Sequence, residues 1–119
     1  LPKMIRAAKN GTDITVFGDG KQMRSFCHVE DAIDALQLIE NTDGEIFNLG
    51  NDVPITIKEL AERVIDLSKS KSNIAYVPYD KVFSKHHADI MYRLPDLTKI
   101  RTLGFQPKHG LDKIIKDCL

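Results

Sequence analysis

The chain reads as an α/β or mixed α+β domain, because short β-branched runs alternate with helical patterns along its length. Ile14-Thr15-Val16-Phe17 and Ile74-Ala75-Tyr76-Val77 have strand composition. Between them, Leu60, Ala61, Val64, Ile65 and Leu67 recur at helical spacing, behind a Thr56/Glu59 pair of capping-box form. With 119 residues, 42% of them apolar and 29% charged, the chain has enough material for one domain with a modest core.

The elements follow in order. Pro2 suits a first helical turn, Met4, Ile5, Ala7 and Ala8 supply an apolar stripe, and Asn10-Gly11 stops it. The strand at 14–17 ends at Gly18-Asp19-Gly20, and residues 23–29 read as a second strand forming a hairpin with the first. In such a strand Arg24, Phe26 and His28 share one side, while Cys27 faces the other as a small buried hydrophobe. Glu30 and Asp31 complement a helix N-terminus, and Val29, Ala32, Ile33, Leu36 and Ile39 follow at helical spacing. Asn41-Thr42-Asp43-Gly44 closes it.

Residues 45–50 (Glu-Ile-Phe-Asn-Leu-Gly) read as a strand and loop, and Pro54-Ile55 as a brief extended piece. The helix opened by Thr56 frays near Ser68-Lys69-Ser70, and Pro78 ends the strand at 74–77. From Tyr79 to Arg93 the pattern is poor and reads as a mobile loop with room for a short helix. Asp96 can cap a helix carrying Leu97, Ile100 and Leu103, with Gly104 past its end. Leu111, Ile114, Ile115 and Cys118 form a last amphipathic helix.

Several function classes fall away. Lysine and arginine balance aspartate and glutamate at 17 each, so the basic footprint of a nucleic-acid binder is missing. No apolar run has bilayer-spanning length, and no signal-peptide core opens the chain. Cys27 and Cys118 are too few for a disulfide scaffold and lack metal-type spacing, which suits a reduced, cytoplasmic setting. His86-His87 reads as a solvated pair, and no metal site is expected.

The run from Gly18 to Asp31 places one arginine between a tight turn and an acidic helix start, a sensible grip for a phosphate. With Phe47-Asn48-Leu49-Gly50-Asn51, Arg93-Leu94-Pro95-Asp96 and Leu103-Gly104-Phe105-Gln106-Pro107-Lys108, it forms an ordered set of landmarks. The set resembles the C-terminal part of the NAD-dependent nucleotide-sugar epimerases and dehydratases, the extended branch of the short-chain dehydrogenase/reductase superfamily. It is most similar to the UDP-glucuronate decarboxylases and dTDP-glucose 4,6-dehydratases.

The resemblance implies that residues 1–119 are a small C-terminal substrate-binding domain, a fragment of a longer enzyme without the complete Rossmann domain. It implies that Arg24 binds the diphosphate of a UDP- or dTDP-sugar, that Arg93 adds a second cation, and that Asp96 reaches the ribose. Thr15 and Phe17 match positions lining the nucleobase pocket, and Phe26 falls within the same substrate-side run. An aromatic such as Phe17 offers a flat face to uracil or thymine. A guanidinium meets a diphosphate with paired hydrogen bonds that lysine cannot make. Two departures stand out: Met23 replaces a common threonine, and Tyr92 stands where a second arginine often precedes Arg93.

On spacing alone Arg24 reads first as a strand arginine paired with a carboxylate, and Asp96 as a helix cap. The family's chemistry is also missing. The Gly18/Gly20 turn lacks a third glycine and leads into a strand, so it is no dinucleotide loop. Tyr76, Tyr79 and Tyr92 are followed four residues later by Asp80, Phe83 and Asp96, so the family's Tyr-x-x-x-Lys is absent. The chain is therefore expected to bind no cofactor alone, NAD belonging to the full-length enzyme, and to self-associate through the unpaired edge of the strand at 45–49.

Overall fold

The structure, a computed structural model, describes residues 1–81 and 89–119. Helix α1 (Pro2–Asn10) begins on its proline and ends at Gly11, whose φ of 66° lets the amides of Gly11 and Thr12 close on Ala8 and Ala7. Strand β1 (Ile14–Phe17) buries Ile14 and Val16 on one side. Its partner is not the next segment of chain but a remote one.

Strand β2 is only Met23–Arg24, and it joins β3 (Ile55–Thr56) antiparallel. The expected hairpin of β1 with residues 23–29 is therefore corrected. The reason lies in the turn. Gln22 is buried with its amide donating to Phe17 O, and the backbone oxygens of Gly20 and Gln22 accept from Lys58 N and Ile57 N. The chain leaving β1 is thus tied to the start of α3 (Ile57–Ser68) rather than to β1. Gly20 is needed there: its φ is 73°, and a Cβ would stand 2.9 Å from Val16 Cγ1 and 3.0 Å from Lys58 Cβ.

Helix α3 opens with the full Thr56/Glu59 capping box and ends on Lys69 in the left-handed region. Strand β4 (Ile74–Val77) then pairs parallel with β1, Ile14 opposite Ile74 through Phe17 opposite Val77. Helices α1, α3 and α5 (Leu111–Cys118) enclose the main core of Ile5, Ala8, Ile14, Val16, Leu60, Ala61, Val64 and Ile115. Arg63 clasps Asp112 across α3 and α5, its Nε 2.6 Å from Oδ1.

After Arg24 the chain leaves the sheet, so Arg24, Phe26 and His28 share no strand face. His28 is the N-cap of α2 (Val29–Ile39), its ring accepting the Glu30 amide. The helix stands where the periodicity placed it, and only part of the periodic set is covered. Asp31 and Ala35 are the buried positions, while Val29, Ile33 and Leu36 are exposed. Ala35 packs with Leu97, Ile100 and Phe105 in a second small cluster, flanked by Ile39 and Phe47.

No strand forms at 45–50, which corrects that expectation too. Ile46 is 85% exposed, and the segment is held by side chains instead. Lys99 reaches Glu45 and the Ile46 carbonyl, and Arg101 pairs with Asp52. Both cations lie on α4 (Thr98–Arg101), a single turn that stops short of Leu103. Its N-cap is Leu97, yet the Asp96 carboxylate takes the Thr98 amide at 2.9 Å, so Asp96 still satisfies the first turn.

Tyr79–Lys81 forms a 3₁₀ turn, and β5 (Tyr92–Arg93) adds to β2 in parallel, two short elements inside the stretch expected as a loop. Residues 82–88 of that stretch, with His86-His87, lie outside the described residues. Among the described residues, no helix is long and apolar enough to cross a membrane.

Candidate functional site

The site is built around Arg24, and the first step is a glycine. Gly18 closes β1 with φ 67°, and a Cβ there would stand 2.3 Å from Tyr79 Cε2. The tyrosine ring therefore lies directly on the turn. Its hydroxyl donates to Asp89 Oδ2 at 2.7 Å, and the other oxygen of Asp89 accepts from Arg24 Nη2 at 2.9 Å. Arg24 Nη1 donates to the carbonyls of Met23 and Ile90, both at 2.7 Å.

These contacts fix the guanidinium plane. Its side chain is 21% exposed, and three of its bonds are to protein. A guanidinium carries five N–H donors, so Nε–H and one N–H of Nη2 have no partner among the described residues. Burial, then the hydrogen bond to Asp89 and the charge of that carboxylate, push the Tyr79 hydroxyl up to about 12. Tyr79 therefore stays a neutral donor that holds Asp89 in place. It is not an acid/base group for neutral pH.

Thr15, Phe17 and Arg24 line one cleft of about 550 Å³, together with Lys3, Gln22 and Asp89. The register places Arg93 directly opposite Arg24 on the neighbouring parallel strand. Side chains in register on adjacent strands leave the same face of a sheet. Arg93 is exposed and has no hydrogen bond or ion pair among the described residues, but it does not line the cleft. Asp96 is elsewhere, at the start of α4, with its carbonyl accepting from Asn48. Phe26 lines a different, smaller hollow of about 180 Å³ beside Pro54, Ile55 and Leu111.

Lys3, Tyr79 and Asp89 were not singled out from the sequence. Asp89 had no signal to find, since it follows a patternless run and meets Arg24 only through the pairing of β5 with β2. Gln22 carried a weak one, a polar residue between the turn and a strand. The described residues with the chemistry to hold a metal ion, His28, Glu30 and His109, do not line this cleft.

Known proteins resemble this chain in sequence and in fold. Residues 1–50 match the NAD dependent epimerase/dehydratase family. The whole chain aligns at 37% identity with UDP-N-acetyl-alpha-D-glucosaminuronate decarboxylase of Bacillus cytotoxicus, covering 38% of that protein. By sequence the chain is similar to the NAD-dependent epimerase/dehydratase family. Another relative, UDP-glucuronic acid decarboxylase 2 of Arabidopsis thaliana, is 38% identical over 98% of this chain and 26% of its own length. The crystal structure of UDP-glucose 4-epimerase from Thermotoga maritima, with UDP-glucose, superposes with a TM-score of 0.82 at 26% identity, over 95% of this chain and 35% of that one. The chain thus spans little more than a third of the length of these epimerase/dehydratase proteins, or less.

Proposed function

We propose that residues 1–119 are the nucleotide-sugar-binding domain of an NAD-dependent epimerase, dehydratase or decarboxylase, and that the cleft at Arg24 receives the nucleoside diphosphate. The observation that carries this reading is one braced guanidinium sharing a cleft with Thr15 and Phe17. Asp89 orients Arg24 as its resting counter-ion, and the uncommitted N–H groups can donate to an incoming phosphoryl oxygen. Lys3 on the cleft wall and Arg93 in register beside Arg24 add positive charge for a group carrying at least two negative charges. Phe17 offers a flat apolar surface to the base.

In this reading the chain supplies grip and specificity. Hydride transfer to NAD, and the tyrosine and lysine that drive it, belong to other parts of the enzyme, and the isolated chain turns over no UDP- or dTDP-sugar. Asp96 contributes as a helix cap, with a ribose contact resting on the family resemblance alone.

Calorimetric titration of the chain with UDP, dTDP and UDP-glucuronic acid tests the reading. Micromolar binding is expected, weakened about tenfold by Arg24→Lys, since a point charge cannot replace the fork. Arg93→Lys is expected to cost less. Equal affinity in wild type and Arg24→Ala, or no heat with any nucleotide, defeats it.

A second reading, a self-associating module, is favoured by one observation. Val29, Ile46 and Val53 are 65%, 85% and 70% exposed, apolar surface of the kind that partners cover. It places the apolar face of α2 against a second copy, and the unpaired backbone at 45–49 alongside.

A further inference from the structure

The structure assigns a divalent-cation site, of the kind that takes zinc, to His28, Glu30 and His109, between the start of α2 and the residues leading into α5. One ligand atom from each lies within 4.8 Å of the others. Glu30 Oε2 is 3.1 Å from His109 Nε2 and 3.8 Å from His28 Nδ1. Nitrogen and oxygen ligands about 2.0–2.1 Å from a tetrahedral zinc stand roughly 3.3 Å from each other. The carboxylate already sits at that spacing from both rings, to within about half an ångström. The two rings are stacked at 4.4 Å with a 30° tilt, so drawing their inner nitrogens together is the larger adjustment.

The outer nitrogens give an independent reason. His109 Nδ1 is 2.7 Å from Asp31 Oδ1, and His28 Nε2 is 2.8 Å from Asp117 Oδ2. Carboxylates behind imidazoles fix the tautomer and turn the lone pairs inward, which is the outer shell of protein zinc sites. Asp31 is 1% exposed and well suited to the role.

With its proton on Nδ1, His109 presents a bare Nε2 lone pair to a Glu30 oxygen 3.1 Å away. Two acceptors at that distance require a cation between them, either a proton or a metal ion. His28 Nδ1 now accepts the Glu30 amide at 3.2 Å, and a bound ion takes over that lone pair. The positive end of α2 opposes a cation here. Glu30, Asp31 and Asp117 outnumber Lys113, which pairs with Asp117, and Lys108 is engaged by Asp34. Two imidazoles and one carboxylate suit zinc rather than calcium or magnesium, and the exposed Glu30 leaves a fourth position open to solvent. The ion would fasten α2 to the segment before α5, away from the Arg24 cleft.

The test is titration of the chain with Zn²⁺ and Co²⁺. A background of His86→Ala, His87→Ala, Cys27→Ser and Cys118→Ser removes the other histidines and both thiols. One ion per chain is expected, with visible Co²⁺ bands of a low-symmetry nitrogen/oxygen site. Glu30→Gln and His109→Gln, both outside the main core, should each weaken binding at least tenfold while the circular dichroism is unchanged. Absence of binding at millimolar Zn²⁺, or equal affinity in both variants and the background, overturns the site.

Discussion

Replacing Asp31 probes the join between α2 and the C-terminal segment most directly. Its carboxylate is 1% exposed and accepts three hydrogen bonds, from Lys108 N at 3.0 Å, His109 N at 3.1 Å and His109 Nδ1 at 2.7 Å. At about 1.5 kcal/mol for each bond to a charged acceptor, Asp31→Ala forfeits roughly 4.5 kcal/mol. Water reaching the partly exposed His109 returns about 1 kcal/mol of that. The expected loss is therefore about 3.5 kcal/mol, with Asp31→Asn costing about half as much because it keeps one acceptor oxygen. Urea unfolding followed by circular dichroism measures it, the midpoint falling at unchanged slope. A loss below about 1 kcal/mol for Asp31→Ala would show that the amides find other partners and that this carboxylate does not hold the segment.

Three further outcomes follow from the same contacts. The ultraviolet titration step removed by Tyr79→Phe should lie near pH 12, because burial and Asp89 raise that pKa. A raised folded-state value means the stability it brings is present below the unfolded value of about 10 and fades as pH climbs toward 12; a step near 10 contradicts the Asp89 contact. Gly20→Ala should cost about 2 kcal/mol or more in thermal unfolding, from a positive φ and a Cβ at 2.9 Å from Val16 Cγ1; a neutral result means the turn at 18–20 is built differently. If the apolar face of α2 drives association, sedimentation equilibrium will show mass rising with concentration and Ile33→Glu will abolish the rise; a monomer at every concentration removes that reading.

What was legible in the sequence is what short-range chemistry decides. Pro2 and Gly11 bound α1, Thr56 and Glu59 start α3, and β-branched runs mark β1 and β4. Each signal acts within a few residues. The second sheet has no such signal, since its strands are two residues long and come from positions 23, 55 and 92, far apart in the chain. Arg24 shows why a site is harder to read than an element. Spacing alone gave an arginine paired with a carboxylate, and resemblance gave a phosphate ligand; the structure supplies the carboxylate, Asp89, inside the cleft where the phosphate reading would put its ligand. The two readings are compatible, because the bonds to Asp89, Met23 and Ile90 use three of the five N–H donors and leave two for a further acceptor.

The bare apolar residues of α2 and the absent strand at 45–50 share one cause. Hydrophobic periodicity records what a segment needs to bury, and says nothing about what covers it. Val29, Ile33 and Leu36 fall at helical spacing and remain exposed, and the strand-like run at 45–49 forms no ladder, with Ile46 bare. Such a pattern selected for solvent would be polar at those positions. In both elements part of the apolar set is covered, Ala35 and Ile39 of α2 and Phe47 of the next segment meeting in the second cluster, while Ile33, Leu36 and Ile46 stay bare. Lys99 and Arg101 fasten 45–52 to α4 from the polar side, which holds the run in place without a ladder and without covering Ile46.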